Sequence, residues 1–313
     1  MKVIHELMII PIFTDEVIQN GGWHGAQLQI ALDKRGHKAV FVSLKNCAID
    51  LSGKNPIIQI PGFKQLPKAV FVRGISGGSL QQITQRLNLL HTLKILGVTV
   101  YNDGHAIERT VDKAMTSFLL QHHGINTPKT WVCESRHLAH QIIQSHQKVN
   151  KQLVIKPLFG SQGAGVRIVG GLAEGLVCGK AQSMPLPMDD YVDGVFYLQS
   201  FIKASHDYRV FIVNNQAIAT MKRMGDTWLH NAALGAKCEK STEADVIAIA
   251  LQAAKVLNIS YCGVDIIRDE ASSLKTGQLF VLEVNSIPAW RGLQGVTNAN
   301  IAQLLVDDLL NKL

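Results

Sequence analysis

A lysine inside an apolar strand, followed directly by glycines, is the first feature of this sequence that could do chemistry. Residues 154–169 read VIKPLFGSQGAGVRIV, with Lys156 in the strand and the glycines from Gly160 to Gly165 at the turn. A buried lysine is costly unless an anion lies beside it, and glycines let backbone N–H groups approach phosphates closely. On the loop alone, a flexible hairpin whose lysine reaches solvent is the favoured interpretation. The loop is neither a Walker A motif, because no Lys-Ser/Thr follows, nor a dinucleotide fingerprint, because a strand follows.

A second group of polar residues lies on two apolar strands near the C-terminus. In FVLEVNSIP, Glu283 and Asn285 are two residues apart, so they share one face of the strand. Asp265, in GVDII, is a third oxygen donor in an apolar setting. Such oxygens are the ligands that magnesium prefers beside phosphates. Solvent-facing residues on a half-exposed sheet are the alternative, but three of them on two apolar strands favour a cation site.

Three more cationic residues could bind an anion, although each has a plainer explanation. Lys113 lies on a predicted helix, where a surface position is the better single interpretation. Arg209, in DYRVFIV, is expected to pair with a neighbouring acid. Arg73 follows a predicted strand, and open α/β sheets bind ligands at the carboxyl ends of their strands. A salt bridge at the rim is its alternative role.

Composition limits the classes of protein that this chain can be. The 313 residues are 47% hydrophobic, which predicts two or three packed lobes. A net charge of +7 without a dense basic run suits anionic small molecules and argues against a nucleic-acid partner. The five cysteines are dispersed, the histidines lack metal-motif spacing, and no apolar run is long enough for a membrane span. These features predict a cytoplasmic protein with no membrane partner, and they leave homo-oligomerisation open.

The elements that must position these residues change character along the chain. Before about residue 105, strands and helices alternate, which predicts a parallel, doubly wound α/β lobe. One of its helices begins with a capping box of Ser79 and Gln82. After that point, hairpins mixed with helices predict α+β lobes. The predicted domains are 1–104, 105–199 and 200–313.

Four local predictions follow from patterns in the second half. A helix is predicted over residues 110–124, and a hairpin is predicted to turn at Asn214–Asn215. A later helix is predicted to have Thr242 as its N-cap. The Gly- and Pro-rich stretch 170–190 is predicted to be a loop or a lid.

Taken in order, these pieces resemble an ATP-grasp enzyme. The segments VIKPLFGSQGAG, QSFI, DYRVFIV, GVDII and LEVNSIP follow the order of that superfamily. The chain is most similar to its RimK-like branch, whose members form peptide-type bonds to glutamate, and the resemblance extends from about Arg73 to the end. It implies an ATP-grasp fold behind an N-terminal pre-ATP-grasp lobe. It also implies ATP and Mg²⁺, with Mn²⁺ as a substitute, and small-molecule carboxylate and amine substrates.

The resemblance implies roles for matching positions. ATP would contact the two lysines, the glycine loop, the hinge over QSFI and an acid near the ribose: Lys113, Lys156, Gly160, Ser161, Gln162, Gly163, Gly165, Gln199, Ser200, Phe201, Ile202 and Asp207. Magnesium would bind Asp265, Glu283 and Asn285. The acyl phosphate or its carboxylate would contact Arg209, Arg223 and Asn231. Apart from the resemblance, the positions of Arg73, Trp290 and Arg291 suggest contacts with an anionic, ring-bearing acceptor. Core packing of Trp290 and a surface position for Arg291 are the equally favoured alternative.

Departures from the family pattern concern the hinge and the acceptor. Ser200 stands where relatives often carry Glu, and Leu234 stands where they carry Arg. The stretch IPAWRGLQ, with Trp290 and Arg291, replaces a typical SPGL and implies a different acceptor pocket. The segments NGGWHGAQL and NDGHAIERTVDKAMTSFLL are similar to a subgroup tied to tetrahydromethanopterin biosynthesis in C1-metabolising bacteria, which implies a pterin precursor as acceptor.

The expected reaction is ATP-dependent amide formation through an acyl phosphate, with glutamate as the added amino acid. Catalysis of phosphoryl transfer needs magnesium and cationic groups more than a dedicated nucleophile, and no nucleophile motif is visible in the chain. The alternatives are a protein or peptide glutamate ligase, another ATP-grasp ligase or kinase, and a nucleotide sensor without turnover.

Overall fold

Strands and helices alternate in the first lobe of the protein. The computed structural model describes residues 6–17, 21–160, 163–170, 194–225, 227–228, 236–270 and 277–313. The first elements are β1 (Ile9–Phe13), α1 (Gly22–Lys34), β2 (Lys38–Val42), β3 (Ala48–Asp50), β4 (Ile57–Gln59), β5 (Ala69–Val72), α2 (Leu80–Ile95) and β6 (Thr99–Tyr101). The strands β2, β1, β5 and β6 pair in that order, all parallel. This arrangement confirms the predicted α/β lobe, and β3 and β4 form a separate antiparallel pair.

The helix α2 begins with the capping box that the sequence predicts. The hydroxyl of Ser79 accepts from the backbone N–H of Gln82 at 3.3 Å, and the Gln82 side chain accepts from the N–H of Ser79 at 2.9 Å. These two bonds satisfy donors that a helix N-terminus leaves free.

An antiparallel sheet forms the middle of the chain. Its elements, with the helices before it, are α3 (Gly104–Val111), α4 (Lys113–His122), β7 (Thr130–Cys133), α5 (Arg136–Gln147), β8 (Leu153–Lys156), β9 (Arg167–Val169) and β10 (Phe196–Ser200). The strand order is β7-β10-β8-β9, and the antiparallel pair β8–β9 confirms the hairpin predicted around the glycine loop. The predicted lid, 170–190, lies outside the described residues except for Gly170.

The single helix predicted over residues 110–124 is wrong in one respect, because the chain breaks between α3, which ends at Val111, and α4, which begins at Lys113. The carboxylate of Asp112 accepts from the N–H groups of Ala114 at 2.9 Å and Met115 at 3.0 Å. Asp112 therefore caps a new helix, α4, whose first residue is Lys113.

A second antiparallel sheet occupies the last third of the chain. The elements are β11 (Asp207–Val213), β12 (Gln216–Met224), β13 (Lys237–Lys240), α6 (Ala244–Val256), β14 (Tyr261–Asp269), β15 (Gln278–Asn285), α7 (Arg291–Gln294) and α8 (Ile301–Leu310). The order is β13-β12-β11-β14-β15. Asn214 and Asn215 turn the β11–β12 hairpin with φ of 47° and 58°, as predicted. The cap prediction for α6 is wrong, because Glu243 and not Thr242 is its N-cap residue.

The buried clusters cross the predicted domain ends. The helix α8 packs on α1, and one apolar cluster joins first-lobe residues such as Leu28 to Leu305 and Trp290. The helix α4 contacts β15 of the last sheet. The first and last lobes therefore share a core, whereas the middle sheet packs against α5 in a cluster of its own. No helix in the described ranges is both long enough and apolar enough to span a bilayer.

Candidate active site

One face of the last sheet carries a continuous set of charged residues. The pairing register places Arg209 opposite Asp265, and Asp265 opposite Glu283. Asp207 lies opposite Arg223 on the other neighbouring strand. Directly paired residues point to the same face of a sheet. The observed register of these strands therefore brings the five side chains together, although they are far apart in sequence.

Four of these residues form a buried ion network. Arg223 donates to both carboxylate oxygens of Asp207, from Nε at 2.6 Å and from Nη2 at 2.8 Å. The Oδ1 atom of Asp265 lies 2.7 Å from Nη1 of Arg209 and 3.1 Å from Nη2 of Arg223. All four residues are buried. Charges at this depth persist when each has a partner of opposite sign.

The network sets the ionisation of its members. Burial alone would raise the pKa of Asp265, but Arg209 and Arg223 hold that pKa below its usual value. Burial alone would lower the pKa of Arg223, whereas Asp265 and Asp207 raise it. Asp265 is therefore a carboxylate and Arg223 a guanidinium throughout the physiological range.

Two acids of this network carry further roles in the resemblance, and those roles stay predictions. The resemblance implies that Asp207 lies near the ribose of ATP, and here its two oxygens accept from Arg223. Asp265 was expected as a metal ligand, and its Oδ1 atom is shared by two guanidinium groups. Both acids thus hold the arginines in place in this structure. Asn231 lies outside the described residues.

Gly263 makes room for the Arg209 guanidinium. A Cβ atom at Gly263 would lie 2.7 Å from Nε and 2.9 Å from Cζ of Arg209, and 3.0 Å from Cβ of Pro288. Sequence reasoning missed this residue, although an isolated glycine inside a strand is a known signal of close approach.

Glu283 and Asn285 lie next to each other at the end of β15. The Asn285 Nδ2 atom donates to the Glu283 Oε1 atom at 2.8 Å, which confirms that the two residues share a face. This bond leaves the amide oxygen of Asn285 for a cation, and the Glu283 carboxylate lies within hydrogen-bonding reach of Asp265. The donor set fits magnesium, which prefers hard oxygen ligands.

Lys156 ends β8 beside a row of hydrogen-bonded side chains. Its Nζ donates to the Oε1 of Gln199 at 2.6 Å. Gln199 is buried, and its Nε2 donates to the Thr130 hydroxyl at 3.2 Å and to the Tyr197 hydroxyl at 3.1 Å. The Tyr197 hydroxyl is in turn 2.7 Å from the Ser117 hydroxyl. Sequence reasoning missed Thr130, Tyr197 and Ser117, because no local pattern marks hydroxyls that meet from three elements.

The two lysines share an electrostatic field with the acids of the last sheet. The pKa of Lys156 is lowered to about 8, because burial and the nearby charge of Lys113 outweigh the opposing effect of Glu283 and Asp265. Burial also lowers the pKa of Lys113, and Glu283 opposes that shift. The charge of Glu283 therefore acts on both lysines. The two lysines and the acids of the last sheet are close enough to interact.

The glycine loop connects to Lys113 through its backbone. The Lys113 Nζ donates to the carbonyls of Leu158 at 3.3 Å and Gly160 at 3.0 Å. At the far end of the loop, Gly165 has φ of 72°, and a Cβ atom there would lie 2.8 Å from Cγ of Pro157. Only glycine fits that position. Gly163 also has a positive φ, of 75°, and the predicted contacts Ser161 and Gln162 lie outside the described residues.

The predicted adenine hinge has fewer free donors than expected. The backbone N–H of Ser200 donates to the carbonyl of Lys129 at 2.8 Å, and that of Phe201 donates to Gln152 at 3.1 Å. These two amides are therefore occupied, and the Gln199 side chain holds Lys156. Ile202, which is half-buried, is the next residue at the cleft edge.

The predicted acceptor residues meet at the junction of the first and last lobes. Arg73 follows β5, as predicted, and its Nη1 donates to the Pro288 carbonyl at 3.1 Å. Its guanidinium carbon lies 4.6 Å from the ring centroid of Trp290. Trp290 has 0% exposure and belongs to the core. An acceptor ring therefore has no exposed indole face to stack on, whereas Arg291 is exposed beside Trp23, 6.0 Å from that ring.

Both arginines act on one histidine that sequence reasoning missed. The Nε2 of His24 accepts from the backbone N–H of Trp290 at 3.1 Å. Burial lowers the pKa of His24 to about 4, and the charges of Arg73 and Arg291 add to the shift. His24 is thus neutral at pH 7, and the charges of both Arg73 and Arg291 act on it.

Solved structures with the same arrangement are ATP-grasp proteins. The ATP-grasp ligase PsnB, in complex with a minimal precursor, has a TM-score of 0.71 at 19% identity, covering 98% of this chain and 99% of that one. D-cycloserine synthetase DcsG has a TM-score of 0.70 at 17% identity, covering 97% and 99%. At such identities the likeness shows the fold. The fold is that of an ATP-grasp protein.

The sequence places the chain more closely within that class. It belongs to the RimK-like ATP-grasp family, whose domain model matches residues 110–309, and it is an ATP-dependent ligase. The tetrahydromethanopterin:alpha-L-glutamate ligase of Methanococcus maripaludis is 34% identical over 251 residues, covering 78% of this chain and 79% of the relative. The probable alpha-L-glutamate ligase of Vibrio atlanticus is 30% identical over 289 residues, covering 90% and 89%.

Proposed function

We propose that this chain uses ATP to join glutamate to the carboxylate of a small-molecule acceptor of the pterin-cofactor type. In the first step, a carboxylate oxygen takes the γ-phosphoryl group of ATP, which gives an acyl phosphate and ADP. In the second step, the glutamate amine displaces phosphate, loses a proton and forms the amide. The glutamate and pterin parts of the proposal rest on the names of the relatives.

The observation that carries the ATP chemistry is the relation between Lys156, Lys113 and Glu283. Glu283 lies close enough to shift the pKa of both lysines. Lys156 ends the strand before the glycine loop, and Lys113 donates to the Gly160 carbonyl of that loop. Phosphoryl transfer needs cationic groups on one side of the triphosphate and metal-binding oxygens on the other. The chain offers both, in one place.

Each group has a part in this scheme. Lys156 and Lys113 would hold the phosphates, with the backbone of the glycine loop over them. Ile202 would meet the purine at the hinge. Glu283 and Asn285 would bind Mg²⁺, with Mn²⁺ as a substitute, and the metal would neutralise charge on the phosphates.

Arg209 is our candidate for the acyl phosphate. Its bond to Asp265 uses Nη1, and a guanidinium carries further N–H donors whose geometry suits carboxylates and phosphates. Asp265 and Arg223 would position it, and Arg223 would stay tied to Asp207.

Product analysis tests the proposal. The chain would be incubated with ATP, magnesium, glutamate and a panel of acceptors that includes tetrahydromethanopterin and peptides with a C-terminal glutamate. We expect ADP and an amide in equal amounts, identified by mass spectrometry, with a pterin acceptor. An amide on peptides alone would favour a peptide ligase. ADP with a phosphorylated acceptor would indicate a kinase, and binding without turnover would indicate a nucleotide sensor.

A further inference from the structure

Two histidines and a glutamate converge at a place outside the ATP site. His91 lies on α2, and His105 and Glu108 lie on α3. One possible ligand atom from each residue lies within 4.8 Å of the others. Sequence spacing did not reveal this cluster, because its ligands come from two helices and match no linear motif.

The distances are close to those of a three-ligand metal site. The Nε2 of His91 is 2.8 Å from Oε1 of Glu108, and the Nδ1 of His105 is 3.3 Å from Oε2 of Glu108. Ligand atoms around a tetrahedral zinc lie about 3.3 Å apart when the bonds are about 2.0–2.1 Å long. The three ligand atoms all lie within 4.8 Å of one another, so modest rotations of these side chains would bring them to the spacing around an ion.

The backbone around the cluster holds the ligands in place. A Cβ atom at Gly104 would lie 2.8 Å from Cε1 of His91, so this glycine lets the imidazole pack directly on the start of α3. The Asp103 carboxylate caps the same helix, accepting from the N–H of His105 at 2.9 Å. Asp103 also forms an ion pair with Lys94, so the positive charge of Lys94 is bound to Asp103 next to the cluster.

The donor set selects the type of metal. We propose that His91, His105 and Glu108 form a binding site for a divalent transition metal of the zinc type, separate from the magnesium site of the ATP reaction. Imidazole nitrogens favour Zn²⁺, Co²⁺ and Ni²⁺, whereas Mg²⁺ prefers oxygen ligands throughout. The side chains of His105 and Glu108 are 62% and 39% exposed, so water can complete the coordination.

Binding at this site would tie two parts of the chain together. His91 belongs to the first lobe. The helix α3 leads directly to α4, which begins at Lys113, and the N–H of Asp112 between them donates to the carbonyl of Glu108 at 3.3 Å. A metal would therefore fix α2 to the segment that precedes Lys113. We expect zinc to stabilise the folded chain by mass action.

Calorimetric titration of the full chain with Zn²⁺, in excess Mg²⁺, tests the site. We expect one tight zinc per wild-type chain. Outer-shell partners alone change metal affinity by about 10- to 100-fold, so His91→Gln and Glu108→Gln, which each remove a direct ligand, should weaken binding by at least about tenfold. His122→Gln, in the exposed pair His122–His123, is the matched control and should bind zinc like the wild type.

Two further measurements separate loss of a ligand from loss of the fold. Co²⁺ in the wild type should give the visible absorption of a four-coordinate ion, and the absorption should be absent in His91→Gln. Each variant should keep its circular dichroism, and zinc should raise the melting midpoint of the wild type and the control but not of the ligand variants. Should His91→Gln fail to fold, Glu108→Gln and His105→Gln at the more exposed positions carry the test. Equal zinc affinity in wild type, ligand variants and control would overturn the site.

Discussion

Among the described residues, the hydrogen bond of Lys156 goes to the neutral amide of Gln199, at 2.6 Å, and not to a carboxylate. The amide fixes the direction of the ammonium group without cancelling its charge. Gln199 is fixed in turn by Thr130 and Tyr197. A lysine whose direction is fixed by an amide suits the anion-binding role that we propose for it at the end of an apolar strand.

Replacing Lys156 should weaken nucleotide binding while the fold survives. Lys156→Met keeps the apolar stem and removes one charge-assisted contact, which is worth about 1.5–3 kcal/mol. We expect ATP to bind about 10- to 150-fold more weakly, as measured by calorimetry with magnesium. Lys151→Met, at an exposed position before the same strand, is the control and should bind ATP normally. Normal ATP binding by Lys156→Met would remove Lys156 from the site.

The lowered pKa of Lys156 predicts a pH dependence of ATP affinity. Burial lowers this pKa to about 8, so the free protein loses the charge of Lys156 as the pH rises through that value. ATP affinity should therefore fall above pH 8, measured as a dissociation constant at several pH values. Lys156→Arg keeps its charge at high pH and should remove this dependence. A flat profile in the wild type would contradict the assignment.

The lowered pKa of Lys156 reduces ATP affinity as the pH rises, but it has the opposite effect on the stability of the fold. An unfolded lysine has a pKa of about 10.4, so between pH 8 and that value the unfolded chain binds more protons at this residue than the folded chain does. The contribution of Lys156 to the free energy of unfolding therefore rises with pH across this window. Between pH 8 and about 10.4, the free energy of unfolding, measured with denaturant, should therefore rise more steeply with pH in the wild type than in Lys156→Met.

The metal assignment predicts a defect that magnesium relieves. Glu283→Gln and Asn285→Asp alter two adjacent oxygen donors on β15. We expect lower turnover for both, with Glu283→Gln needing more magnesium to reach half its maximal rate. Glu239→Gln changes an exposed acid on β13 and serves as the control. Wild-type rates for both site variants across a magnesium titration would contradict this assignment.

Much of the fold could be predicted because local patterns agree with the final contacts. The capping box of Ser79 and the turn at Asn214–Asn215 are set by residues within a few positions of one another. The break at Asp112 was missed, because the helical spacing of apolar residues continues across it. The shared core could not be predicted either, because the packing of α8 on α1 joins the two ends of the chain.

The candidate site could be predicted as a set of residues but not as a set of contacts. Strand periodicity correctly placed Glu283 beside Asn285. The partners of Asp207 and Asp265 depend on register across β11, β12 and β14, which sequence spacing does not contain. The burial of Trp290 likewise depends on elements that are far apart in the chain.

Gly263 offers a test of how Arg209 is held. Gly263→Ala would place a methyl group 2.7 Å from Nε of Arg209, so the guanidinium must move. Such overpacking costs about 1–3 kcal/mol of stability. We also expect turnover to fall more than ATP affinity, because Arg209 is proposed to contact the acyl phosphate. Gly53→Ala, whose nearest neighbour would be 3.8 Å away, is the control. Wild-type turnover in Gly263→Ala would show that the position of Arg209 does not matter for the reaction.

The last prediction distinguishes a role in the stability of the fold from a role in acceptor binding, for Trp290 and for Arg291. Trp290 is enclosed by the rings of Trp23, His24 and Phe211, so Trp290→Ala should cost about 3–5 kcal/mol in the free energy of unfolding. Trp290→Phe keeps a ring in the core and removes an indole N–H that has no partner among the described residues. It should therefore cost much less.

Arg291 is exposed, so Arg291→Ala should change stability by no more than about 0.5 kcal/mol. Its guanidinium suits an anionic acceptor, and the Michaelis constant of the acceptor should rise while that of ATP stays the same. Denaturant unfolding and steady-state kinetics on the three variants measure both effects. If Trp290→Phe raises the acceptor constant at unchanged stability, the indole itself recognises the acceptor. If Arg291→Ala changes neither quantity, the acceptor binds elsewhere and Arg291 is a surface residue.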